Sequence, residues 1–475
     1  MARIWSMMDV GKRSLANSQT SLQTVAHNIA NKGTEGFSRQ RVDQVTNEPV
    51  GEGNLRIGMG ARSSRVTRTN NEYLEKQLEQ EGSQLGFVDS KAELLGRVEQ
   101  VYNEQTTKGL NQCMGEFFNS FRELSNNPES LATRTMVKES AEFLTKNFHH
   151  VTEQLGAIQG DADFRLATRV EEANQLAKEI AQLNMKVGSA EINGVSANDE
   201  RDRRDQLVKQ LSQKINIRYA ESKSGLLTIT AGNTGVLVSG STACELSVKP
   251  TSMRADKKEG NFDVFYKNSE NSTPVNITKQ ITGGEIGGIL NVRDGIVNRC
   301  LGELDELAFG LTTEVNDAHV EGFDRFDQTG KAFFEPQATQ ANAASTISIS
   351  KAIREDVGRI AAAASAGSPG DNRIANVLSA LEYKQCLHDG SATFDDYYNG
   401  LVGRIGIEAQ RANTAQESQK DVVAQLKNLR ESISGVSLDE ETTKMIEFQK
   451  GFDASARLIK TADEMMDTVL NLKRL

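Results

Sequence analysis

Proline is confined to Pro49, Pro128, Pro250, Pro274, Pro336 and Pro369, so residues 1–48 and 370–475 lack the residue that most strongly breaks a helix. Both ends of the chain can therefore run as long helices. In the first stretch Met8, Leu15, Leu22 and Ile29 recur every seventh position, with Ser18 and Val25 between them, a spacing that sets side chains along one seam of a helix. In the last stretch Met445, Phe448, Phe452, Ile459, Ala462, Met466 and Val469 keep the same heptad spacing, with Lys, Asp and Glu on the other faces. Ser437 and Glu440 have the spacing of a capping box, in which each side chain satisfies an amide of the first turn, so the last helix is predicted to begin there.

The interior repeats the theme. Leu166, Val170, Ala173, Ala177, Ile180 and Val187 form one helical seam, and Leu301, Leu304, Ala308, Leu311, Val315 and Ala318 another. Val422, Leu426, Leu429 and Ile433 mark a further helix. Residues 216–282 read differently: "GLLTITAGNTGVLVSG", "FDVFY" and "VNITKQI" alternate with a period of two, and "TGGEIGG" closes the region. "STISIS" at 345–350 suggests a hairpin strand, and the Gly-bearing stretch after Ala30 suggests an extended arm or hairpin. The fold class expected is mainly α with a β insertion. The molecule would be elongated, with the terminal helices forming a coiled coil, a long-helix bundle as the body and a small β-rich outer domain. The corresponding boundaries are 1–48 with 433–475 for the terminal coiled coil and its extended arm, 49–215 with 286–432 for the discontinuous bundle, and 216–285 for the outer domain.

Composition narrows the function classes. With 37% hydrophobic but only 5% aromatic residues, the core must rest on Leu, Ile, Val and Ala, a palette suited to helices. A net charge of -10 offers no basic field for nucleic acid, and the apolar runs are too short to span a membrane. The N-terminus lacks the continuous apolar segment of a cleaved secretory signal, so any export would use another route. Cys113, Cys244, Cys300 and Cys386 lie far apart with no C-x-x-C pair and read as reduced core thiols. The five histidines show no metal-ligand spacing. Asp324 and Asp327 lack the alternating carboxylates of a calcium loop, and "TGGEIGG" lacks the Lys-Ser/Thr of a phosphate cradle. No catalytic set, cofactor or metal is expected, and the functional residues should be interface residues.

Both ends together resemble one family. "SLANSQTSLQTVAHNIANKGTEGFSRQRV" is similar to the N-terminal signature of bacterial flagellar axial proteins, and its Phe37-Ser38-Arg39-Gln40 ending points to the hook-associated protein 1 family. "SISGVSLDEETTKMIEFQKGFDASARLIKTADEMMDTVLNL" resembles that family's C-terminal signature, with weaker echoes in "RDQLVKQLSQKINI", "GGEIGGILNVRD" and "GDNRIANVLSAL". The resemblance implies a structural adaptor that joins the flagellar hook to the filament and serves motility. Its terminal helices would pack as an inner coiled coil, and self-assembly would form a ring in the axial tube. The implied partners are the hook protein, the second junction protein (hook-associated protein 3), an export chaperone and the flagellar type III export apparatus, with an extracellular destination reached without a cleaved signal. The terminal helices are expected to order on assembly. Leu15, Leu22, Val25 and Ile29 are expected to pair with Phe452, Ile459, Met466 and Val469, while Asn28, Asn31 and Arg39 would contact other subunits. The alternatives are another flagellar axial protein (a hook protein or a flagellin-like subunit), an enzyme hidden in the variable region, and an intracellular coiled-coil adaptor.

Overall fold

The computed structural model describes residues 2–52, 55–103, 109–192, 194–222, 224–232, 235–251, 261–267, 273–388 and 390–472. The proline-free start forms α1 (Ala2–Ala30). The following turn uses Gly36 at φ +84°, a conformation that costs a residue bearing a Cβ about 1–2 kcal/mol. The chain then folds into β1 (Gln40–Thr46), β2 (Val50–Glu52), β3 (Leu55–Ile57) and β4 (Ala61–Arg68). β1 pairs antiparallel with β4, from Gln40 opposite Arg68 to Thr46 opposite Ala61, and β2 pairs with β3. The arm after α1 is thus an extended hairpin, as its alternation suggests.

The body begins with α2 (Glu72–Val101), capped by Asn71, whose side-chain oxygen accepts from the amides of Tyr73 and Leu74. α3 (Leu110–Asn126), α4 (Leu131–Ile192) and α5 (Asn198–Lys214) follow. The 62 residues of α4 span about 90 Å at the usual rise, and the whole predicted seam from Leu166 to Val187 is buried along it. Next comes the β-rich stretch: β5 (Ile217–Glu221), β6 (Leu227–Ala231), β7 (Gly235–Ser239) and β8 (Thr242–Ala243) make one antiparallel sheet. β9 (Glu245–Pro250), β10 (Phe262–Lys267) and β11 (Val275–Asn276) make a second, in the order β11-β10-β9. α4 fastens both. Asn184 donates to Leu227 O and Gly240 O, and the amide of Leu246 donates to Asn174 at 2.8 Å.

The chain returns through α6 (Gly284–Leu290), a π-helical stretch (Asn291–Val297) and α7 (Asn298–Val320). The glycine cluster has a packing cause: a Cβ on Gly284 would lie 2.6 Å from Ile215 N, so only glycine lets α6 start this close to the end of α5. Short helices α8 (Ala343–Thr346), α9 (Lys351–Glu355) and α10 (Arg373–Ala380) precede α11 (Phe394–Ser434) and α12 (Leu438–Leu472). The strand suggested by "STISIS" does not form: its first residues lie in α8, and only Ile349 makes an isolated bridge, to Phe334. α2 packs on α11, α6 and α5, and α4 on α3 and α5. Phe117, Phe121, Phe333 and Phe334 gather in one cluster, the last two at 4.9 Å between centroids. Leu304, Ala308, Leu311 and Val315 are buried as their seam suggests, whereas Val422, Leu429 and Ile433 on α11 face solvent and the neighbouring Val423 takes the inward position.

Candidate assembly interface

α1 and α12 pack antiparallel along a seam of small residues. A Cβ on Gly11 would stand 2.7 Å from Ile459 Cγ1 and 3.1 Å from Leu458 Cδ2, so glycine lets the two backbones approach here. Further along, Ser455 donates to Ser14 at 2.7 Å, a Cβ on Gly451 would meet Ser18 Oγ at 3.3 Å, and Asn28 reaches Glu441. Gly11, Ser14, Ser18, Ser21, Val25 and Asn28 alternate steps of three and four residues, which keeps them on one helical face. Ser21, Val25, Asn28, Ser455 and Ala462 are buried.

The leucine stripe lies one residue away from this seam. Leu15, Leu22 and Ile29 follow Ser14, Ser21 and Asn28 directly and are only half-buried, as are Phe452, Ile459 and Met466. Val469 is exposed. In this register Ile459 faces Gly11, and Phe452 sits next to Gly451, opposite Ser18. Val25 lines a cavity with Phe448 and Glu441. The hairpin therefore leaves large apolar chains open to solvent, among them Trp5 at 56% and Ile446 at 55% exposure.

At the inner end of the hairpin, polar side chains tie the arm to three helices. Asn28 Nδ2 donates to Gln40 O and to Glu441 Oε2, both at 2.9 Å, and its oxygen accepts from the Gln40 amide at 2.9 Å. Arg39 donates through Nε to Glu441 Oε1 at 2.8 Å and meets Glu440 at 3.0 Å, while its backbone amide donates to Ser434 O. Thus Asn28 and Arg39 are engaged within their own chain, and Asn31 Nδ2 donates to His27 O at 3.0 Å. The carboxylate of Glu440 lies on Arg39, and α12 starts where Ser437 predicts it.

Two more arginines complete the junction. Arg430 on α11 donates to Gly36 O and Ser38 Oγ and pairs with Glu75 and Glu431. Arg68 on β4 bridges Asp202 and Asp205 on α5 at 2.7 and 2.8 Å, and Asp202 also accepts from the Ser38 amide. Burial opposes the Arg68 charge, but Asp205 and Asp202 hold its pKa above the ordinary value. Burial also raises the Asp202 carboxyl, against the pull of Arg68 and Ser38. Nearby, burial pushes Glu79 up to about 7, although Tyr219 hydrogen-bonds it at 3.2 Å.

Other polar groups are locked into structure. Asp324 accepts from the amides of Phe326 and Gln328 and pairs with Lys331, which makes a closed turn. Buried His319 donates from Nδ1 to Lys331 O at 2.7 Å and accepts the Ala361 amide at Nε2, 2.8 Å away. Among the described residues no cluster of three or more His, Cys, Asp or Glu is placed to hold a metal, and no helix is long and apolar enough to cross a membrane.

A hairpin of the two chain ends, rooted by a buried polar junction in a long-helix body and bearing exposed apolar stripes, defines a subunit built for assembly. The family model for the helical domain of flagellar hook-associated protein FlgK matches residues 95–334, and the chain belongs to that family. Residues 430–472 match the C-terminal model of the flagellar basal body rod FlgEFG proteins. The chain is 28% identical to flagellar hook-associated protein 1 of Bacillus subtilis, over 98% of this chain and 97% of that protein. It is 25% identical to the protein of the same name from Escherichia coli, over 98% and 100%. Its fold is similar to that of the flagellar hook junction protein FlgK from Burkholderia pseudomallei, with a TM-score of 0.68 at 15% identity, covering 75% of this chain and 100% of the other.

Proposed function

We propose that this chain is a structural adaptor of the bacterial flagellum that assembles as a ring at the hook–filament junction. The observation that carries the reading is the division of labour on the terminal hairpin: small residues close the α1–α12 seam, and the larger apolar chains of the same helices remain for other subunits. Leu15, Leu22, Ile29, Phe452, Met466 and Val469 then act chiefly between copies, Val25 and Ile459 sit within the seam, and Asn28 and Arg39 hold the hairpin at its working angle. Asn31 stands at the turn where a neighbour can reach it. The working parts are the terminal helices, a helical body and an outer β-rich domain. The hook protein would lie on one side and the second junction protein on the other, with delivery to the cell exterior by the flagellar export apparatus and its chaperone. The role is mechanical and requires no catalysis.

Deleting the gene tests this reading. Cells should keep hooks, lose filaments and release flagellin into the medium. Normal filaments in the deletion strain would refute it.

A further inference from the structure

α4 carries a second set of exposed apolar side chains. Met136, Phe143, Phe164, Met185 and Ile192 are separated by whole multiples of seven residues and are all exposed, Phe164 by 72%. In a helix of 3.6 residues per turn such a row winds slowly round the axis, as the contact line between packed long helices does. Phe164 is the most prominent knob at mid-length, and Glu171, also exposed, follows it one heptad later.

A groove of about 540 Å³ opens on another face, where α2, the π-helical stretch and α11 meet. Its floor is apolar, with Phe87, Val88, Ile296 and Ala412, and no residue of α4 lines it. Lys91, Arg299 and Arg411 stand round it. Arg299 is neutralised by Glu408 at 2.6 Å, whereas among the described residues neither Lys91 nor Arg411 belongs to an ion pair. Two uncompensated cations beside an apolar floor, in a chain of net charge -10, favour an apolar partner with an acidic flank.

Along α2 the knob lies within two helical turns of the groove. Asp161 pairs with Arg97 and Arg165 with Glu93, so α4 and α2 run antiparallel. The same step sets Phe164 level with Leu94 and Glu171 level with Phe87, at the groove. A knob and a groove on different faces at neighbouring levels cannot meet within one molecule, but they can meet between neighbours related by rotation about a common axis with a small step along it. We infer that Phe164 of one copy enters the α2–α11 groove of the next, with Glu171 facing Lys91 and Arg411, and that this contact closes the ring at the level of the helical body. The inference rests on the junction reading above and names a lateral contact within it.

Cysteine cross-linking in flagella tests the contact. In a Cys244→Ser, Cys386→Ser background, which removes the two half-buried native thiols, cells whose only copy of this chain carries Phe164→Cys with Ala415→Cys at the groove edge would be compared with each single variant and with that parent, using a short bismaleimide on isolated flagella. The double variant should give a ladder at multiples of the chain mass, and the parent and single variants should give none. Dimers from Phe164→Cys alone would mean that the knob meets its own copy and would overturn the groove assignment. Absence of cross-links with the chain present in flagella would overturn the contact and leave the junction reading intact. Absence of the parent chain from flagella would overturn both. As a second arm, Glu171→Lys should reduce incorporation, and adding Lys91→Glu with Arg411→Glu should restore it. A failure of that restoration with normally folded protein would refute the charge pairing. Both positions on α4 are exposed, so far-UV circular dichroism of the purified variants should match the parent.

Discussion

Lowering the pH from 7.5 to 5 sets two buried groups of the body against each other, and single substitutions should separate them. His319 is wholly enclosed, and burial lowers its pKa from 6.5 to about 4, with the Arg134 charge acting in the same direction and outweighing the pull of the Lys331 carbonyl and Asp324 the other way. Its folded value lies below its unfolded one, so its contribution is complete above about 6.5 and is lost as the pH falls towards about 4. At about 1.4 kcal/mol per pH unit, reaching pH 5 costs about 2 kcal/mol. Glu79 works the other way. Burial raises it from 4.5 to about 7, so its contribution is complete below about 4.5 and is lost as the pH rises through about 7. The same acidification therefore returns about 3 kcal/mol. The parent should change little from these two groups, His319→Gln should gain stability on acidification, and Glu79→Gln should lose it. The measurement is urea unfolding of the helical body by far-UV circular dichroism at both pH values. A gap of about 5 kcal/mol should open between the two variants on going from pH 7.5 to 5. Parallel pH dependences in all three chains would refute the assignment of opposite buried charge states.

Other consequences concern the hairpin. Gly11→Leu must displace Ile459 and Leu458, at a cost of about 1–3 kcal/mol, and should open the hairpin and reduce incorporation into flagella while the circular dichroism of the body stays unchanged. Glu441→Ala strips Asn28 and Arg39 of a shared buried partner. In assembled flagella it should loosen α12 by about 3 kcal/mol, read as hydrogen exchange faster by about two orders of magnitude in that helix, with α4 unaffected. Leu22→Asp or Phe452→Asp should leave the body folded and abolish incorporation, and unchanged incorporation of either would remove the half-buried stripes from the assembly. Cys300, whose thiol burial pushes up to about 12, should resist iodoacetamide at pH 8 in the folded chain, and labelling without denaturant would contradict its placement in the core.

The terminal helices were legible in the sequence because proline is absent and the heptads are long, and Ser437 marked the start of α12 to the residue. The packed face was not. Apolar periodicity points to the most hydrophobic row, here Leu15, Leu22 and Ile29, but a hairpin that must also pack outwards needs a second row. The row that closes it, with Gly11, Ser14, Ser18 and Ser21, has almost no hydrophobic signal. A search for small residues at alternating steps of three and four would have found it. The same offset on α11 exposes Leu429 and turns Val423 inwards. Glu441 was missed for another reason: an acid in the first turn of a helix reads as a solvated partner of the helix dipole. Its burial depends on Arg39, 402 residues earlier, and no local pattern encodes that distance. In "STISIS" the alternation is real, but Ile347 and Ile349 are buried by irregular backbone packed on the body, without a partner strand.

The junction position is open to immunogold electron microscopy of intact flagella, with antibody raised against the β-rich region, residues 216–285. A junction subunit should give a single narrow band of label where hook meets filament. Label spread along the filament, spread along the hook, or absent from the structure would contradict it.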